Sequence, residues 1–464
     1  MSLAKPVLGL AHSPALERPD AASLADWIRE NRIDEIECVT SDLAGIARGK
    51  VMPASKFVRG GDVRLPVSIL ITTINGEYAD VIRHDFDTDS DLTLVPDFTT
   101  ARAVPWASDP SLVIIHDLVD GEGNPSGAAP RTVLRRVVDH FTKAGLSPVV
   151  APEIEFYLTK QNTDPDYPLE PPVGRSGRQS TGSQAFSLSA VDEYESVIEH
   201  IYDYAEAQGL EIDTIIQEAG AAQLEINLVH GDPLALADQV FLFKRLIREA
   251  AMQCGCYATF MAKPMENQPG SAMHVHMSVV ETATGRNIFS DGNGAPTPAF
   301  HHFLGGQQRH FPAAMAIAAP YVNSYRRLVA YQSAPVNLEW GVDNRSVGIR
   351  MPKSSPEARR VENRVIGSDA NPYLAIAAAL ACGWLGMQEK AEPRPEATGD
   401  AYLMNRDLPE SQLDSVIELE ANKALTEILG EEFVKIYCAV KRAEHAEFMR
   451  VISPWEREYL LLNV

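Results

Sequence analysis

Residues 151–157 read Ala-Pro-Glu-Ile-Glu-Phe-Tyr, which sets two carboxylates, Glu153 and Glu155, inside a run otherwise made for burial. Side chains alternate between the faces of a strand, so residues two apart share a face. Glu153 and Glu155 then point one way, and Ile154, Phe156 and Leu158 the other. The same alternation returns three times. Gln223, Glu225 and Asn227 oppose Leu224, Ile226 and Leu228; His274, His276 and Ser278 align within 273–278; Arg360, Glu362 and Arg364 align within 360–364. Four strands with one polar and one apolar side demand a sheet whose apolar back is covered by helices. One such strand alone is what any solvent-facing edge looks like. Ordinary edges, however, mix Lys, Thr and Glu loosely, whereas here Glu, His and Arg recur beside Gly and Pro turns.

The charge balance narrows the function classes. With 63 acidic against 41 basic residues and a formal charge of -22, attraction to phosphate backbones or anionic lipid is a poor fit, which argues against nucleic-acid and membrane partners. Metal ions and cationic small molecules suit it better. Five scattered cysteines, Cys38, Cys254, Cys256, Cys382 and Cys438, make no disulfide framework and fit a reduced, cytoplasmic protein. Cys254-Gly-Cys256 lacks the second ligand pair of a zinc site. The most apolar run, 374–387, is too short to span a bilayer.

Along the chain, residues 1–20 carry Pro6, Pro14 and Pro19 and read as a tail. A short helix with Leu24, Trp27 and Ile28 on one face follows, with Asp20 placed to cap it. Strands at 36–40 and 46–51 around Asp42-Leu-Ala-Gly45 make a hairpin, and further strands are expected at 93–95, 103–105 and 112–118. The turn-rich stretch 120–127 closes this small domain at about residue 125. Beyond it, helices are expected over 130–144, 194–208, 233–254, 300–318, 371–390, 413–429 and 431–448. Strands are expected at 212–217, 222–229, 258–261, 336–340 and 347–351. Residues 167–182 form a long loop. The whole is α+β, with a mainly antiparallel sheet in the larger part.

The polar faces together hold Glu153, Glu155, Glu225, His274 and Glu362, and Glu218 adds a carboxylate just before one strand. Several hard oxygen ligands with one imidazole suit Mg2+ or Mn2+ better than Zn2+. Arginines on the same face suit a phosphate or a substrate carboxylate. That combination is the equipment of phosphoryl transfer from a nucleotide. No Gly-rich phosphate loop is present, so a nucleotide would bind by another scheme.

From about residue 36 to near the C-terminus the chain resembles the glutamine synthetase family. The resemblance rests on Pro152-Glu-Ile-Glu-Phe-Tyr157, Gln217-Glu-Ala-Gly220 with Gln223-Leu-Glu225, and Lys263-Pro264 leading to Gly270-Ser-Ala-Met-His-Val-His-Met-Ser278. Asn323-Ser-Tyr-Arg-Arg-Leu328, Asn344-Arg-Ser346, Ile349-Arg350, Arg360-Val-Glu-Asn-Arg364 and Ala370-Asn-Pro-Tyr-Leu374 complete it. It implies a β-grasp domain over 21–125 and a catalytic domain over 129–464, built on a curved antiparallel sheet flanked by helices. It also implies a homo-oligomer of two stacked rings, a dodecamer, with active sites between subunits. The implied chemistry is phosphorylation of the γ-carboxylate of glutamate by ATP, followed by displacement of phosphate by an amine. By position, Glu155, Glu218 and Glu225 would bind one metal, and Glu153, His274 and Glu362 the other. Arg327 and Arg364 would hold glutamate with help from the Gly270 backbone and Glu155. Arg345 and Arg350 would neutralise ATP phosphates, with His276 and Ser278 on the nucleotide side; Arg345 and Arg350 differ by an odd number, which requires a bend between them. Arg327, Arg345 and Ser333 would act in catalysis.

Departures from the family pattern bear on the amine. Ammonia-using members have an acidic flap residue before the Ala-Pro that corresponds to Ala334-Pro335, and here it is Ser333. Their ammonium-binding Asp-Gly-Ser-Ser stretch is absent, and the comparable region is Pro66-Val-Ser-Ile-Leu70. Pro269 stands where an asparagine is expected, and Arg406 where some bacterial members have an adenylylated tyrosine. The pattern resembles the γ-glutamyl-amine ligases, including γ-glutamylpolyamine synthetases. Two alternatives stay open: an ammonia-using glutamine synthetase in which another acid, such as Glu339 or Asp343, replaces the flap residue, and a non-catalytic regulatory member.

Overall fold

The computed structural model describes residues 21–464 apart from 82–83, so the expected tail and its Asp20 cap lie outside the described residues. Six strands make a first sheet: β1 Glu35–Ser41, β2 Ala47–Pro53, β3 Arg64–Pro66, β4 Asp91–Pro96, β5 Arg102–Ala103 and β6 Ser111–Val119. Their order is β2-β1-β6-β4-β3, with β5 also on β6. The β1–β2 turn is set by Asp42, whose Oδ1 accepts the N–H groups of Ala44 and Ile46 at 2.9 Å each while Oδ2 accepts Arg48 Nε at 2.7 Å. β1 runs parallel to β6, so this sheet is mixed.

Eight strands make the second sheet: β7 Leu146–Lys160, β8 Ile212–Gln217, β9 Gln223–Leu228, β10 Cys256–Thr259, β11 Met273–Glu281, β12 Trp340–Val342, β13 Ile349–Met351 and β14 Val361–Asn363. The order is β12-β13-β14-β11-β7-β9-β8, with β10 on the far end of β7. Every pair is antiparallel except β12–β13. The apolar alternation puts Ile154, Phe156, Leu158, Leu224, Ile226, Val275 and Met277 on the back, all fully buried. Each such side chain contributes about 2 kcal/mol of burial free energy. Long helices cover that side. Pro372–Glu389 is buried along nearly its whole length and crosses Pro298–Ala318 where Gly306 meets Gly386. A Cβ on Gly306 would stand 2.6 Å from Gly386 Cα, so the helices can approach this closely only through glycine. No described helix is long and apolar enough to cross a membrane.

Three expected elements differ. The 413–429 helix is two, Gln412–Ala421 and Lys423–Leu429, because Asn422 leaves helical geometry (ψ 88) and its side chain accepts the Leu425 N–H. The strand expected over 336–340 survives only as β12. Buried Asn337 folds its side chain back onto the Glu339 N–H and donates to Ala401 O at 2.7 Å, which breaks the extended run. β10 starts two residues earlier than expected, since Gly255 (φ 72) ends the preceding helix abruptly and the chain pairs with β7 at once.

Candidate active site

Strand register brings the ionisable residues face to face. Glu153 pairs with His274 across β7 and β11, and Glu155 with Glu225 across β7 and β9. His276 pairs with Glu362 across β11 and β14, and Arg350 with Glu362 across β13 and β14. Two groups of possible metal donors result, Glu153 with His274 and Glu362, and Glu155 with Glu225 and His274, the atoms of each within 4.8 Å of one another. His274 serves both. Its Nδ1 is 3.2 Å from Glu153 and 3.9 Å from Glu362, while its Nε2 is 3.9 Å from Glu155.

The acids differ electrostatically. Burial opposes the charge on Glu153, but hydrogen bonds from His274 and His276 outweigh it and hold the group well below the usual carboxylate range. Glu362 is likewise held down to about 2, since Arg364 and the two histidines overcome its burial. Burial and the nearby Glu218 push Glu155 up to about 8, although its Oε2 accepts the Ala272 N–H at 2.8 Å and Gln223 Nε2 at 3.2 Å. Burial and the neighbouring glutamates push Glu225 up to about 9. His274 is held down to about 4 by burial and by Arg364, so the ring is neutral and keeps one unprotonated nitrogen able to act as a donor. Carboxylates with one neutral imidazole, two of them unable to ionise together, are a donor set that fits a hard divalent cation.

Glu218 sits on the turn after β8, off the strand, and belongs to neither donor group. It lines a small pocket with Glu155, His274, Gln223, Gly270, Arg327 and Ser333. Burial raises its carboxyl as well. Arg327 is buried, with Nη1 on Val365 O at 2.7 Å and Nη2 on Arg364 O at 2.9 Å. It lies against Gly270, where a Cβ would stand 2.4 Å from Arg327 Cγ and 2.5 Å from Ala262 O. Arg364 donates to Glu362, and its buried Nε finds no partner among the described residues. Arg350 bridges Glu362 at 2.8 Å and Asp343 at 2.6 Å, its Nε also unpartnered. Arg345 is exposed on the turn between β12 and β13, which is the bend the odd spacing requires, and stays within electrostatic reach of Glu218. Ser333 is exposed, in the left-handed region at φ 65.

A wider cleft of about 510 Å³ is lined by Glu153, His276, Ser278, Arg360 and His230. His276 Nδ1 accepts Arg360 Nε at 3.1 Å, so Nε2 carries the proton and donates to Glu153 at 2.8 Å. Glu339 and Asp343 are each held by arginines, Arg394 at 3.3 Å and Arg350 at 2.6 Å, and neither lines the cavity beneath Ser333. Two supports were not foreseen. Gln223 braces Glu155, as its place on the Glu225 face could have indicated. Ser368 Oγ donates to Glu155 O at 2.6 Å from 213 positions away, and nothing in its local sequence marks it.

The comparisons with known proteins agree with this architecture. Residues 127–460 match the family model described as glutamine synthetase, catalytic domain. The chain is 35% identical over 437 residues to gamma-glutamylputrescine synthetase PuuA of Escherichia coli (strain K12), covering 92% of each. It is 32% identical over 427 residues to the glutamine synthetase of Pyrococcus abyssi (strain GE5 / Orsay), covering 90% of this chain and 91% of the relative. Among solved structures, GmaS without ligand superposes with a TM-score of 0.79 at 29% identity, covering 95% of this chain and 99% of that one. The GmaS complex with ADP gives 0.80 at 28%, with 94% and 99% covered. With the family's catalytic domain spanning most of its length, the chain belongs to the glutamine synthetase family.

Proposed function

We propose that the chain is an ATP-dependent ligase that joins the γ-carboxylate of L-glutamate to a primary amine through γ-glutamyl phosphate, releasing ADP and phosphate. The observation that carries this is the cavity in which Ser333, rather than an acid, faces Glu218, Glu155 and Arg327. A serine there is smaller than an acid and removes a carboxylate suited to a small ammonium ion. The relative named gamma-glutamylputrescine synthetase, matched over 92% of both chains, supports an amine larger than ammonia.

In this reading Glu153, His274 and Glu362 hold one Mg2+ or Mn2+, and Glu155 and Glu225 the other, with Glu218 joining them. When bound, these cations offset phosphate charge during transfer. Arg327 and Arg364 orient the glutamate carboxylates, aided by the close approach of Arg327 to Gly270. Arg345 and Arg350 draw the ATP phosphates, and His276 and Ser278 line the nucleotide cleft. Glu218 lines the pocket with Ser333, where its negative charge would draw an alkylammonium toward the site. Arginines fixed by buried contacts give the in-line alignment that phosphoryl transfer depends on.

The same proposal includes a cytoplasmic location, a dodecamer of two stacked rings with sites between subunits, and a β-grasp identity for 21–125 with catalysis in 129–464. The six-stranded sheet of the smaller part and the family membership support it. An ammonia-using glutamine synthetase is the second reading, favoured by relatives of that name. A regulatory member without catalysis would have no use for six clustered ionisable groups. Phosphate release coupled to ATP and glutamate decides between these readings: it should rise with putrescine, another polyamine or a monoamine and stay low with ammonium. Ammonium as the best acceptor would select the second reading.

A further inference from the structure

Strand β6 is apolar along most of its length, yet it carries His116, of which only 1% is exposed. The imidazole Nδ1 lies 2.8 Å from Ile114 O, and a carbonyl can only accept, so Nδ1 carries the proton. Burial holds the group down to about 4, which keeps the ring neutral. Nε2 is then an acceptor, and it has no hydrogen-bond partner among the described residues. Buried side-chain acceptors normally have a donor. The same imidazole lines a cavity of about 330 Å³, walled by Leu24 and Ile28 of the helix Ala21–Glu30, Phe57 of the helix Ala54–Val58, and Val63 and Leu94 on the side of the first sheet. An apolar hollow with one placed polar group is the usual form of a small-molecule site. Two further polar side chains reach its described wall: half-buried Thr93, and Asp62, which is exposed and held by Arg64 at 2.7 Å. Phe57 meets the His116 ring at 6.5 Å and 77°, and Phe98 at 6.3 Å and 82°, so aromatic edges and faces border the space. No residue assigned above to metal, glutamate or ATP lines it. The cavity borders the junction with the larger part of the chain. Directly after Pro96 and His116 come Asp97 and Asp117, which hold Arg131 at 2.7 and 2.9 Å, and Arg131 in turn holds Asp238 at 2.8 Å.

We propose that this cavity is a binding site for a small neutral molecule with a flat apolar body and one N–H or O–H group, which donates to His116 Nε2. Apolar walls disfavour a charged guest, and the neutral imidazole offers it no counter-charge. A guest with acceptors alone would leave Nε2 unsatisfied, which sets the demand for a donor. The aromatic border favours a flat body, which can stack on or meet the rings edge to face. The site lies in the smaller part of the chain and stands apart from the ligase reading. Binding here is non-covalent.

The test is titration calorimetry of the full chain with indole and with benzofuran, two bicyclic aromatics of nearly the same shape of which only indole carries a donor. Wild type should bind indole about tenfold more tightly than benzofuran. Ala25→Trp, which fills the cavity from the helix Ala21–Glu30 and leaves β6 untouched, should abolish binding of both. His116→Phe keeps a ring against Phe57 without the acceptor and should make the two affinities equal. If that variant does not fold, the wild-type ratio still tests the donor and Ala25→Trp, checked for its fold by circular dichroism, still tests the place. Wild type that fails to bind indole, that binds both molecules equally, or whose indole binding survives Ala25→Trp would overturn the site.

Discussion

Glu155 and Glu225 stand directly opposite each other on paired antiparallel strands, two buried carboxyls side by side on one face. Like charges so placed repel, and the pair answers by holding protons. That relationship makes the site sensitive to both pH and divalent cations.

The pH sign can be worked out. Folding raises these carboxyls from 4.5 to about 8 and about 9, so the folded protein binds more protons than the unfolded chain in that interval. The stability they contribute is full below the unfolded value and is lost as pH rises through 8 and 9. Without divalent cation, the Tm should fall across that window. Glu225→Gln should flatten the fall, and the difference between the two proteins isolates it: Lys244, which burial holds down to about 7 and which titrates with the opposite sign, is common to both. Added Mg2+ or Mn2+ should raise the wild-type Tm most at the alkaline end and the variant's much less. Thermal melts in EDTA and in each cation measure this, and parallel curves for the two proteins would refute it.

Glu155→Ala removes a carboxylate from one donor group while leaving Glu153, His274 and Glu362 intact. Phosphate release with every amine should drop at least about a hundredfold, as loss of a metal ligand commonly does. Activity within a few-fold of wild type would remove Glu155 from the metal site.

Ser333→Glu restores an acid over the cavity shared with Glu218. The ratio of kcat/KM for ammonium over that for a larger amine should rise about tenfold. An unchanged ratio would place the amine elsewhere.

Gly270→Ala forces a methyl group into Arg327 Cγ and into the carbonyl of Ala262, and the latter cannot swing aside. The cost should be about 1–3 kcal/mol of stability. Because Arg327 must shift, KM for glutamate should increase more than KM for ATP. Equal changes in both would argue against Arg327 as the glutamate anchor.

The strand alternation made the second sheet and its polar face legible, because period-2 patterning and burial are the same fact seen twice. It gave no register, and register is what sets Glu153 opposite His274 and Glu155 opposite Glu225. The sharing of His274 between two acid groups follows only from that pairing. Glu218 lies on a turn, where parity says nothing about direction, so its place in one pocket with Glu155, His274 and Ser333 was invisible in the sequence. The two-helix break at Asn422 was missed because an apolar period of 3.6 continues across it while a single side chain stops the backbone.

The order β14-β11-β7-β9 has a temporal side. Neighbours in the sheet come from distant parts of the chain, so each pairing closes a long loop and has little local structure to start from. Until residues 361–363 have been added, β11 has an open edge and His276 has no Glu362 opposite it. A chain stopped short of that point could have a folded first sheet yet would lack one of the three members of that donor group. The donor group that includes Glu362 is thus completed last, after Glu155, Glu225 and His274 are already in the chain.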